Sequence, residues 1–171
     1  AVNTALTGHL LLSTLHTNSA AGSFPRLIDL GINSRIISSA INVALAQRLI
    51  RKLCEKCKQA VPLEGTSKET IERILSYAGT RATPTQTTQM WTAVGCDACN
   101  GIGYKGRIGI YEAIKVTSEV DSVIQGNPSE REIAKAAESQ GIPTMVEDGI
   151  VKVLAGVTSL DELGRVVDLS K

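Results

Sequence analysis

Apolar residues change their spacing several times along the chain, and each change marks an expected element. Residues 1–6 already have the spacing of the middle of an apolar helix, which Gly8 would end. Residues 10–15 are almost continuously apolar, the pattern of a strand covered on both faces. His16, Thr17 and Asn18 close that run, and Asn18 is placed to cap a helix carrying Phe24, Leu27, Ile28 and Leu30. Gly31 would stop this helix and Pro25 would kink it. A second helix is expected over about residues 34–47, where Ile36, Ile37, Ala40, Ile41, Ala44 and Leu45 share one stripe. The period then drops toward two in residues 48–53, a strand.

Further on, Thr66-x-x-Glu69 has the form of a capping box for a short helix bearing Ile71, Ile74, Leu75 and Ala78. The threonine-rich residues 80–89 are expected as a solvated loop, and residues 107–114 as a strand that pairs with the one before Cys54. That pairing would make the intervening segment an insertion between neighbouring strands. The tail is helical, with Ser129-x-x-Glu132 and Thr158-x-x-Asp161 as capping boxes and Gly141 and Gly156 as stops. An α/β part, an insertion and a helical part follow one another.

Composition narrows the function more than the fold. A chain of 171 residues with 43% hydrophobic content can bury a real core. The net charge is +1 with the signs interspersed, and only 3% of residues are aromatic. Neither a basic footprint nor a stacking platform for nucleic acid exists. No apolar run approaches the ~20 residues that cross a bilayer.

The four cysteines add chemistry. They lie as Cys54-Glu-Lys-Cys57 and Cys96-Asp-Ala-Cys99, with 38 residues between the two hooks. Each hook can aim two sulfurs at one point, and two hooks supply the four ligands of a closed tetrahedral site. Zn²⁺ suits it, with a structural role and a net charge of about −2 that Lys52, Lys56, Lys58 and Lys105 stand near enough to offset. Two disulfides and a rubredoxin-like iron site are the alternatives. Free thiols in this arrangement point to a reducing cytoplasm. Two histidines flank the apolar run. His16 stands at its C-terminal end, where open α/β sheets bind ligands, and His9 stands seven positions earlier. A loop-carbonyl hydrogen bond is the plain alternative role for each.

Residues 7–18, Thr-Gly-His-Leu-Leu-Leu-Ser-Thr-Leu-His-Thr-Asn, resemble the histidine box of the ATPases that power type II secretion and type IV pilus extension. Residues 46–57 are similar to the entry of that family's tetracysteine zinc motif, and residues 95–112 to its exit. Thr144-Met-Val-Glu-Asp-Gly149 and Gly156-Val-Thr-Ser resemble its C-terminal helices. The tetracysteine motif looks like that of the extension-type enzymes. The resemblance covers the whole chain. It implies the second half of a RecA-like ATPase core over residues 1–53, a tetracysteine zinc subdomain over 54–100, a returning strand over 101–116 and a C-terminal helical domain over 117–171.

It further implies a homohexamer, cytoplasmic and peripheral at the inner membrane, that turns an integral platform protein and meets the docking proteins of its machine. His9 and His16 would lie near the terminal phosphate of ATP, and Arg48 and Arg51 would reach a phosphate or an adjacent subunit. The chain departs from the full pattern in having no Gly-x-x-x-x-Gly-Lys-Ser/Thr loop and no carboxylate before Asp29 to hold Mg²⁺. Those motifs are expected upstream of Ala1, and the chain alone is expected not to hydrolyse ATP. Two other readings stand beside this one. One is a stand-alone zinc adaptor. The other is a chaperone-like module, because Cys-Asp-Ala-Cys-Asn-Gly-Ile-Gly is similar to the zinc repeat of J-domain co-chaperones.

Overall fold

The structure, a computed structural model, describes residues 2–170; Ala1, the first residue of the expected opening helix, lies outside them. The elements run α1 (Val2–Leu6), α2 (Ser23–Asp29), α3 (Ser34–Ala40), β1 (Val43–Leu53), β2 (Gln59–Pro62), α4 (Gly65–Ala78), β3 (Gln89–Thr92), β4 (Tyr104–Lys115), α5 (Ser118–Gln125), α6 (Glu130–Ala137), α7 (Met145–Leu154) and α8 (Leu160–Val166). β1 pairs with β4 in one two-stranded sheet and β2 with β3 in another. At the two ends of the longer sheet, Val116 N–H donates to Asn42 C=O and Cys54 N–H to Gly103 C=O, so β1 and β4 run antiparallel. The expected pairing of the strands on either side of the cysteine segment is observed.

Contacts gather the chain into two units. The first takes the residues up to Ala46 with Glu112–Ile142. Its core is Ala20, Ala21, Phe24, Ile37, Ala44, Ile114, Val120, Ile124 and Ile133. Helix α2 begins five residues after Asn18 and carries Gly22, not Asn18, at its cap. Pro25 therefore falls in the first turn, where a missing N–H costs nothing, and it does not kink the helix. Helix α3 is capped by the Asn33 side chain and stops at Ala40, short of the expected 47. Ile41 turns to extended backbone (φ −120°, ψ 119°), and the ladder with β4 outweighs the helical stripe from Val43 onward. Glu132 and Ser129 form the expected capping box of α6. The side-chain amide of Gln140 accepts from Lys115 N–H (2.9 Å) and donates to Lys115 C=O (2.8 Å).

The expected strand over residues 10–15 is absent. Residues 9–17 form neither helix nor strand, and Leu10 and Leu12 are 89% and 91% exposed. A strand needs a neighbour to take its hydrogen bonds, and among the described residues each strand is paired with another one.

The second unit takes Gln47–Tyr111 and the residues from Pro143 onward. Helix α4 buries Ile71, Ile74 and Ala78 as the spacing requires, but it starts at Gly65 and Glu64 holds its cap position without a side-chain bond. The expected Thr66–Glu69 box therefore lies inside the first turns. Part of the expected 80–89 loop contributes the start of β3, which aligns antiparallel to β2 with Gln59 opposite Thr92 and Pro62 opposite Gln89. Helices α7 and α8 pack closely, because Gly149 has no Cβ to strike Leu163; a Cβ there would stand 2.3 Å from a Leu163 methyl. Between them Gly156 takes φ +69° under the Trp91 ring, 2.8 Å from where a Cβ would sit. Tyr111 N–H on β4 donates to Asp148 Oδ2 at 2.9 Å. No helix among the described residues is long and apolar enough to cross a membrane.

Candidate metal centre and histidine segment

Strand β1 delivers Cys54 at its end, where Cys57 N–H and Lys58 N–H fold back onto Cys54 C=O at 3.1 and 2.9 Å. The second hook repeats the turn. Cys99 N–H and Gly101 N–H both donate to Cys96 C=O (3.1 and 2.9 Å), with Asn100 in the left-handed region between them. The two turns aim their sulfurs at one another. All four Sγ atoms lie within 4.8 Å, with Cys54–Cys96 at 4.0 Å and Cys57–Cys99 and Cys96–Cys99 at 3.8 Å. A tetrahedral ion with metal–sulfur bonds of about 2.3 Å spaces its ligands about 3.8 Å apart. Disulfides, which need sulfurs about 2 Å apart, are not formed, and all four thiols are free.

The backbone prepares the sulfurs for negative charge. Gly95 N–H points at Cys57 Sγ (3.3 Å), and Cys96 N–H and Gly103 N–H both point at Cys99 Sγ (3.2 Å each). Burial pushes the Cys99 thiol up, but these two amides and the neighbouring thiols draw it down to about 6. At Cys57 burial dominates and pushes the thiol up to about 12. A divalent ion bound here would be held by all four as thiolates and would displace the remaining protons. Of the lysines expected to offset the charge, Lys58 pairs with Glu55 (2.7 Å) and donates to Gly156 C=O (3.1 Å).

Arg51, three residues before the first cysteine, is held by Glu162 of α8. Its Nε and Nη2 donate to one carboxylate oxygen at 2.9 and 2.6 Å, and its N–H to the other at 3.0 Å. The guanidinium lies 4.3 Å over the Tyr104 ring, whose hydroxyl meets Ser159 Oγ at 2.6 Å. Thr158, expected as the cap of α8, instead donates to Arg51 C=O (2.9 Å), and Ser159 caps the helix. Leu53 N–H reaches Val157 C=O at 2.9 Å. Burial raises the Glu162 carboxyl, but the Arg51 and Arg165 bonds outweigh it and hold the group below the usual carboxylate range. The same pair raises Arg51. Arg48 is half-buried on β1.

The structure brings the cysteines together and leaves the histidines on a segment that is neither helix nor strand. His9 is exposed, with Nδ1 3.1 Å from Thr7 Oγ1, and His16 is exposed. The turn directly after His16 is fastened. Thr17 Oγ1 donates to Ser19 C=O (3.1 Å), Ser19 Oγ to Glu130 (2.5 Å), Ala20 N–H to Glu112 Oε1 (2.7 Å) and Gly22 N–H to Ser19 Oγ (3.0 Å). Sequence patterning missed Glu112, Glu130 and Glu162, because their partners lie about a hundred residues away.

Fold and site together define an α/β protein in which four clustered thiols have the geometry that a tetrahedral metal ion requires. The chain belongs to the family described as type II/IV secretion system protein, which matches residues 1–165. It is similar to the type IV pilus assembly ATPase PilB of Acinetobacter baylyi, 41% identical over 97% of this chain and 28% of that protein. The type II secretion system protein E of Pseudomonas aeruginosa is 43% identical over 97% of this chain and 31% of its own length. PilB of Thermus thermophilus is 39% identical over 98% of this chain and 18% of that protein. The chain thus spans less than a third of each of these relatives.

Proposed function

We propose that the chain is the C-terminal part of a hexameric motor ATPase that drives type IV pilus assembly or type II secretion, cytoplasmic and peripheral at the inner membrane. The likeness along 97% of the chain to proteins named pilus assembly ATPase and type II secretion protein E carries this reading. In it, residues 1–53 complete a RecA-like core and the exposed run 10–15 becomes a strand once the rest of the protein lies beside it. Cys54, Cys57, Cys96 and Cys99 hold one Zn²⁺ as a structural ion, supported by sulfur spacings of 3.8–4.0 Å. ATP and Mg²⁺ bind through motifs outside this chain, which alone does not turn ATP over. The partners are other copies in the hexamer and the inner-membrane platform protein.

His16, with His9 in support, stands near the terminal phosphate. Imidazole can donate a hydrogen bond or a proton as charge builds there, and losing one such donor typically costs about 100-fold in rate. Arg48 remains the candidate for a phosphate or neighbouring-subunit contact. The ion pair with Glu162 supports a fastening role for Arg51. In the intact protein, His16→Ala is expected to cut turnover about 100-fold while leaving metal content and melting temperature nearly unchanged. Normal turnover in that variant, or a lowered melting temperature with normal turnover per folded molecule, overturns the role of His16.

A further inference from the structure

We infer that Glu112 is a positioning residue for His16, an inference that rests on the motor reading above. Residues 9–16 form neither helix nor strand. In the intact protein the strand proposed over 10–15 leads into His16 from one side, and on the other side its backbone is held by the attachment that starts at the next residue, Thr17. The turn it enters is tightly seated, with Ala20 and Phe24 both 0% exposed. Ala20 N–H is buried there and finds its acceptor in the Glu112 carboxylate at 2.7 Å. Glu112 stands on β4, whose backbone is fixed by the ladder with β1, so the acceptor is a stationary post. Glu130 ties the same turn from a second side through Ser19. Without the Glu112 acceptor a buried N–H is left unpaired, and the turn relieves that only by moving. His16 moves with it. A catalytic group displaced by about 1 Å can lose on the order of 100-fold in rate.

What Ala20 N–H asks of residue 112 is a hydrogen-bond acceptor, which an amide oxygen also supplies, and this makes the amide variant informative. In the intact protein, Glu112→Ala is expected to lower kcat for ATP tenfold or more, to leave KM within about twofold, and to speed hydrogen exchange in the peptide containing Ala20. Glu112→Gln, whose side-chain oxygen can still accept from Ala20 N–H, is expected to restore kcat and exchange protection together. Unchanged kcat in Glu112→Ala, or a Gln variant as impaired as the Ala variant, overturns the inference. His16→Ala in the same series separates the two levels. Normal turnover there brings down the histidine reading and this inference with it. A damaged His16→Ala beside an unaffected Glu112→Ala brings down the inference alone.

Discussion

A carboxylate that is 2% exposed needs an answer for each oxygen, and Glu162 has one in the Arg51 and Arg165 guanidiniums and the Arg51 backbone N–H. Its charge is stabilising only while it is ionised. The native pKa is held below the unfolded value of about 4.3, so the contribution is fully present above that value and is lost as pH falls through the lower native one. Glu162→Ala should cost about 2–3 kcal/mol at neutral pH, discounted because Arg51 is partly exposed and can turn to water. Acid titration of melting temperature, comparing the chain with Glu162→Gln, checks the sign: the variant should lose less stability between pH 5 and 2. The cysteines were legible in the sequence because two short hooks are local geometry. Glu162 was not, since its role is set by a strand 111 positions away.

Elements were legible where local chemistry and long-range pairing agree. The α6 capping box formed as written, because Ser129 and Glu132 need only each other. The α8 cap moved from Thr158 to Ser159, because Arg51 C=O claims the Thr158 hydroxyl. The helix expected to 47 ended at Ala40 for the same kind of reason, since nothing within residues 41–47 reveals that β4 waits alongside. The α7–α8 connection depends on a residue without a side chain. Gly156→Ala should force a methyl against Trp91 and strain a left-handed backbone, costing about 2 kcal/mol and lowering the melting temperature by roughly 4–8 °C. Trp91→Leu in the same background, by opening room, should recover part of the loss; no recovery would mean that backbone strain alone is responsible.

At the scale of the molecule, the tetrathiol centre belongs wholly to one unit and the core around Phe24 wholly to the other. Structural zinc contributes roughly 10–16 kcal/mol of apparent binding energy in small domains. Chelation should therefore abolish exchange protection in residues 47–111 and 143–170 while sparing α2, α3, α5 and α6. Returning Zn²⁺ at pH 7.5 should release close to four protons, because in the unfolded unit the amides that draw Cys99 down no longer reach it and all four thiols sit near the ordinary value of about 8.5. Calorimetry in two buffers of different ionisation enthalpy counts them. Uniform loss of protection across both units would contradict the assignment.

The side-chain contacts along β4 bear on behaviour in a crowded solution. A ribbon of two strands offers its rim to any passing chain, and rims of that kind seed fibrils. Here the Gln140 amide presents one acceptor and one donor to Lys115, and Asp148 occupies the N–H of Tyr111, so a glutamine and an aspartate impersonate the strand that is not there. A newcomer would have to evict both before it could add to the ribbon at those places.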